Sequence, residues 1–150
     1  MTVVGLDLSL ACTGLVAIDG DKVDSLAIKT KPQEQVRRVV KINAEILATL
    51  KKLKPELIVI EDYAFMGNGK ITELAELGGV VKTSLFSLGY KFVTVAPSQV
   101  KKFACGKGNA KKDQVRLEVY KRWGFEAPTN DEVDAYALAR IGLGVLGLDD

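Results

Sequence analysis

The chain has 150 residues, enough for one domain spanning 1–150 with a substantial core, and its 47% hydrophobic and 27% charged residues are those of a soluble globular protein. It has no histidine, which excludes Ser-His and Cys-His catalysis, imidazole bases and most zinc sites and leaves carboxylates, lysines, hydroxyls and thiols for any chemistry. No apolar run approaches the roughly 20 residues of a bilayer span, and the N-terminus lacks the basic and apolar regions of a signal peptide. Cys12 and Cys105 have neither disulfide nor zinc spacing and read as plain small core residues in a reducing cytoplasm.

Residues 2–8 are mostly apolar and predict a buried strand. Residues 13–19 and 23–29 predict two more, joined by a hairpin turn at Asp19-Gly20-Asp21. These three strands are expected to be antiparallel. From 33 to 53, Val36, Val39, Val40, Ile46, Leu47, Leu50 and Leu53 fall at helical spacing, with lysines and arginines on the other face. Pro55 stops this helix. Leu57-Ile58-Val59-Ile60 then reads as a central strand buried on both faces. A helix at about 70–88 ends near Gly89, and residues 91–95 predict a fifth strand.

Pro97 suits the first turn of a short helix through Phe103. The loop Cys105-Gly106-Lys107-Gly108-Asn109 leads into a helix at about 110–123. The last helix runs from near Asn130 to about Val145, with Thr129 and Glu132 spaced as a capping box. Gly142, Gly144 and Gly147 weaken its end. With the short helix set aside, the order is β-β-β-α-β-α-β-α-α. It predicts an α/β fold with a mixed five-stranded sheet, three antiparallel strands then two parallel, and helices on both faces.

Charge is unevenly spread. Between Lys101 and Arg122 eight basic residues face two acidic ones, a local +6 in a chain of net +2. Such a segment is a candidate phosphate footprint; a solvated, lysine-rich helix face would look the same.

Four acids stand where solvation does not explain them. Asp7 lies within the first apolar strand, and Glu61, with Asp62 beside it, ends the most apolar one. Asp131 and Asp134 share a face at the start of the last helix. If the first and fourth strands are neighbours, Asp7 and Glu61 come side by side, and the last helix must lay its first turn across them. Buried carboxylates are costly unless paired or bound to metal, and without histidine they favour hard ions such as Mg²⁺ or Mn²⁺. A cluster of this kind suits two-metal phosphodiester hydrolysis, with cations roughly 4 Å apart. The alternatives are ordinary: Asp131 and Asp134 could complement the helix dipole, and Glu61 or Asp62 could simply end a strand.

Four segments together resemble the RuvC family of Holliday junction resolvases, within the ribonuclease H-like superfamily. They are Gly5-Leu6-Asp7-Leu8-Ser9 with Thr13-Gly14; Ile58-Val59-Ile60-Glu61; Val100-Lys101-Lys102 through Gly106-Lys107-Gly108-Asn109-Ala110-Lys111-Lys112 to Gln114-Val115; and Asp131-Glu132-Val133-Asp134-Ala135. They occur in family order and spacing over nearly the whole chain. The resemblance implies that Asp7, Glu61, Asp131 and Asp134 bind two Mg²⁺ ions, with Mn²⁺ able to substitute. It places DNA-contacting lysines that support catalysis at Lys101 and Lys112. Lys102, Lys107, Lys111 and Arg116 are expected to track the DNA backbone.

It also implies a homodimer that nicks opposite strands of a four-way junction symmetrically and leaves 5′-phosphates, without membrane or nucleotide cofactor. An aromatic after Glu61, Phe65 or otherwise Tyr63, would stack at the junction centre. Ile71, Leu74, Ala75, Gly78, Gly79 and Val81 are a candidate dimer face, with core packing an equal alternative. Leu8-Ser9 replaces the Pro-Gly of many bacterial members, and the stretch after Glu61 is one residue longer. With the short chain, these features are similar to compact bacteriophage resolvases, which implies a setting in the cytoplasm of a bacterium or a phage-infected host.

Three rival readings exist. The first strand, an Asp and a Thr-Gly also fit an actin-like or sugar-kinase-like ATP-binding domain, but 150 residues are too few for its two halves. Gly106-Lys107-Gly108 also lacks P-loop spacing. A non-catalytic factor on the same fold, or a nuclease acting on RNA–DNA hybrids, is the remaining alternative.

Overall fold

The first strand sends its side chains alternately to two different layers, and the molecule is built around that division. In this computed structural model, which describes residues 1–62 and 70–148, β1 (Thr2–Asp7), β2 (Cys12–Asp19) and β3 (Lys22–Lys29) form an antiparallel meander. β4 (Leu57–Glu61) and β5 (Phe92–Val95) add parallel strands on the other side of β1. The sheet order is β3-β2-β1-β4-β5. The expected mixed sheet of three antiparallel and two parallel strands is present.

Val4, Leu6 and Leu8 pack with Ile58 and Ile60 under α1 (Val36–Leu53) and α2 (Lys70–Ser87). Val3, with Val16, Ile18 and Val59, packs under α5 (Asn130–Val145). α3 (Pro97–Cys105) and α4 (Lys112–Trp123) flank α5. An aromatic group stitches these three helices together. Phe125 stacks on Tyr136 at 4.2 Å, Phe103 stacks on Trp123 at 5.7 Å, and the Arg122 guanidinium lies 4.2 Å from the Trp123 ring centre. No helix among the described residues is long and apolar enough to cross a membrane.

One local boundary differs from the structure. The helix expected from residue 33 begins at Val36, after a 3₁₀ turn at Pro32–Glu34. Gln35 separates them with a φ of 50°, outside helical geometry. α5 ends at Val145, where the sequence placed it, and its Gly142 lies against the sheet, since a Cβ there would overlap Val3 and Val59. On α2, the core-packing alternative holds for much of the candidate dimer face. Val81 and Gly78 are buried and Leu74 packs on the core, whereas Val80 and Phe86 are exposed.

Candidate active site

β1 and β4 run parallel with Leu6 opposite Ile60. The strands end together at Asp7 and Glu61, adjacent acids on neighbouring strands. Asp7 is buried. Side chains alternate along a strand, so Asp62 faces away, toward α2, where it meets Lys82 at 3.9 Å.

The other two acids arrive because α5 lies directly on the sheet backbone. A Cβ at Gly5 would overlap the Ala135 carbonyl, and one at Gly14 would overlap that of Asp131. Gly14 pairs with Asp7 across the β1–β2 ladder, so this close approach brings the turn carrying Asp131 and Asp134 over Asp7. Thr129 caps α5 by accepting from the Glu132 amide at 3.2 Å.

Two further ties hold that turn. The capping-box reading of Glu132 is only half right. Its buried carboxylate does not return to the cap's amide but accepts from the Thr129 hydroxyl at 2.9 Å and from Ser25 Oγ on β3. From the other side, Arg116 on α4 donates to Asn130 Oδ1 at 2.9 Å and to the Ala127 carbonyl.

The acids sense one another strongly. Burial holds the Asp7 carboxyl well above its ordinary range, and the charges of Glu61, Asp134 and Asp131 add to this. Burial, then Asp134, pushes Glu61 up to about 7 against the pull of Lys101 and Lys112. Burial, then Asp131, pushes Asp134 up to about 6, again opposed by Lys112 and Lys101. The charges of Lys101, on α3, and of Lys112, at the first position of α4, therefore reach the acids. Lys102, Lys107 and Lys111 are exposed. Arg116, grouped with them from its charge, is spent on α5. Cys12 is half-buried at the rim, where burial first and then Asp131 raise its thiol. Tyr63 and Phe65 lie outside the described residues.

These raised carboxyls set a pH dependence of stability. Between the unfolded values, near 4, and the folded ones, up to about 7 for Glu61, the native state binds more protons than the unfolded state. The stabilisation is fully present below pH 4 and is lost as pH rises through the folded values. In a chelator, urea unfolding should show the protein less stable at pH 8 than at pH 5 by on the order of 2–4 kcal/mol. Equal or greater stability at pH 8 would show that burial and mutual repulsion do not hold these carboxyls up in the native state.

The donor set is all oxygen and Lys101 and Lys112 offset its charge only in part, which is the chemistry of a site for a hard divalent cation. Among the described residues no three acids or thiols stand in position to hold a metal ion as they are. The fit therefore rests on donor type and mutual repulsion.

The family model described as crossover junction endodeoxyribonuclease RuvC matches residues 3–141. The chain belongs to the RuvC family. It is accordingly a crossover junction endodeoxyribonuclease. A RuvC of Prochlorococcus marinus is 30% identical over 152 residues, covering 95% of this chain and 98% of its own. A RuvC of Thermus thermophilus is 31% identical over 151 residues, covering 93% and 91%. The structure of T. thermophilus RuvC in complex with a Holliday junction substrate superposes with a TM-score of 0.81 at 28% identity, covering 99% of this chain and 97% of that one. The ribonuclease H-like sheet expected from the resemblance is thus the fold of the RuvC family.

Proposed function

We propose that the protein resolves four-way DNA junctions by hydrolysing two opposed phosphodiesters with divalent cations held at Asp7, Glu61, Asp131 and Asp134. The observation that carries this reading is the convergence of these four carboxylates, three with raised values, from two strand ends and one helix start. Mg²⁺ is the natural ion for such a set, with Mn²⁺ substituting, and two per site suits in-line displacement. When bound, the cations would activate water and stabilise the leaving oxygen. No nucleotide cofactor is needed, and the setting is the cytoplasm.

The chain's own residues do the rest. Asp7, inside the sheet, is the rigid member of the set. Lys101 and Lys112 set positive charge beside the acids, where a phosphate must enter a field that otherwise repels it. Lys102, Lys107 and Lys111 carry the flanking backbone. A homodimer would place two such sites on opposite strands to give paired nicks with 5′-phosphates. The exposed Val80 and Phe86 of α2 offer it an apolar face.

The deciding experiment is an endonuclease assay with Mg²⁺ on a four-way junction, a fork, a linear duplex and an RNA–DNA hybrid. Preferential, symmetrical cutting of the junction is expected. Preferential cutting of the hybrid, or no cutting of any substrate, would contradict the proposal.

Two substitutions separate the basic residues. Lys112→Ala should lower the single-turnover cleavage rate about tenfold or more at saturating protein. It should also move the acidic limb of the pH–rate profile upward, because Lys112 pulls Glu61 and Asp134 down. Lys107→Ala should only weaken binding and reduce the salt slope by about one unit. Effects confined to affinity in both variants would remove Lys112 from the site.

Arg116→Gln should behave differently from a backbone-tracking residue. Its salt slope for DNA should be unchanged, while stability and cleavage fall together as the first turn of α5 loosens. A slope lowered by one unit with normal stability would return Arg116 to the DNA-contacting set.

A further inference from the structure

A second basic surface flanks the acids on the side away from α3 and α4. Residues 29–41 carry Lys29, Lys31, Arg37, Arg38 and Lys41 against Glu34 alone. With the 101–122 segment at +6 and this run at +4, the rest of the chain holds −8. Positive charge is therefore concentrated twice. Arg38 does not belong to the surface: it is buried, and its Nε donates to Thr30 Oγ1 at 3.0 Å. The Glu34 carboxylate is occupied by the Lys31 amide at 2.6 Å. Lys41 Nζ donates to the Lys29 carbonyl at 3.3 Å and ties α1 to the end of β3. Lys29, Lys31, Arg37 and Lys41 are all exposed. Glu73 and Glu76, with Gln35 and Arg38, line the adjoining cleft at the α2 side.

Strand pairing shows where this shoulder stands. Lys29 pairs with Cys12, Ala27 with Gly14, and Gly14 with Asp7. The end of β3 is therefore at the acid end of the sheet, two strands and roughly 10 Å across from β1. Ser25 reaches Glu132 on α5, so Lys29, four residues further along the same strand, faces that layer too. The Cys12 thiol feels both Asp131 and Lys29. Lys101 and Lys112 belong to α3 and α4, which pack on α5, and α3 follows directly on β5, the sheet edge opposite β3. On the acid face the carboxylates thus lie between these lysines and Lys29, and from Lys29 the shoulder continues around the sheet edge to Lys31, Arg37 and Lys41 at the start of α1, on the other face.

Phosphodiester backbone is the ligand such surfaces take, since neutralised phosphates release condensed counterions. At a four-way junction the exchanging strand leaves one duplex arm and enters another beside the scissile phosphate. We infer that the Lys29–Lys41 shoulder binds the backbone of the arm across the crossover from the one held by α3 and α4. It would thereby help the protein distinguish a junction from a linear duplex. This rests on the proposed junction cleavage.

The test is the triple variant Lys29→Gln/Lys31→Gln/Arg37→Gln, which leaves the Lys41 tie in place. Its affinity for a four-way junction and for a linear duplex is measured by fluorescence anisotropy across a salt series in chelator, with urea unfolding as the control for folding. Junction binding should weaken at least about tenfold, and its salt slope should fall by two to three units, at about 0.9 per phosphate contact. Duplex binding should stay within about twofold. An unchanged junction slope, or an equal loss on both substrates, would overturn the inference. If the triple variant fails to fold, Arg37→Gln alone should lower the junction slope by about one unit, and no change would count equally against the inference. A wild-type protein without junction preference would instead overturn the proposed function itself.

Discussion

Asp7→Asn is expected to reduce junction cleavage by about a thousandfold or more, equivalent to about 4 kcal/mol of barrier, while leaving junction binding intact. The side chain keeps its shape but loses the charge that a cation needs. Two independent readouts should move the other way. Asp7 is buried and its carboxyl is held well above the usual range by that burial and by Glu61, Asp134 and Asp131, so the neutral amide should raise stability at pH 8 in chelator. Removing a negative charge from the site should also tighten binding to phosphates slightly. Asp62→Asn, whose carboxylate meets Lys82 on the other side of the sheet, should cleave at a near-normal rate. Near-normal cleavage by Asp7→Asn would remove the carboxylate mechanism altogether.

The largest effect on stability is expected at Gly5. A Cβ there would overlap the Ala135 carbonyl and the Ala139 amide of α5, and backbone in a regular helix cannot step aside without moving the whole element. Gly5→Ala should cost about 3 kcal/mol or more, read as a lowered urea midpoint. Gly14→Ala presses on the Asp131 carbonyl and the Glu132 amide instead. It should lift the first turn of α5 and lower cleavage as well as stability. Wild-type unfolding by Gly5→Ala would mean that α5 does not rest on the sheet as described.

Much of this arrangement was legible from local pattern. The apolar run at residues 57–60 led to a central strand, and a carboxylate at its end had few ordinary explanations. Asp7 was conspicuous because apolar neighbours enclose it. The contribution of Asp131 and Asp134 depended only on helical spacing and on where that helix begins. What escaped were features fixed by distant partners. Glu132 had a complete local role as a capping residue, and its bond to Ser25 spans 107 positions. Arg116 looked like one more cation in a basic run, because nothing local shows that its guanidinium turns toward Asn130. The helical pattern of α2 revealed an apolar face but not its direction, which packing against α1 and the sheet decides. Nothing local shows that Lys29 lies at the acid end of the sheet, which the strand order decides.

The most direct measurement is single-turnover cleavage of an end-labelled four-way junction by the wild-type protein as Mg²⁺ is titrated from a chelated baseline. The cleaved ends are then tested for sealing by ligase. The expected result is no cutting in chelator and a rate that rises more steeply than a single-site curve, with Mn²⁺ also supporting the reaction. The products should be paired nicks that ligase closes without further treatment. Cutting that persists in chelator, or ends that ligase cannot close, would contradict the central claim that Asp7, Glu61, Asp131 and Asp134 act by holding divalent cations at the scissile phosphate.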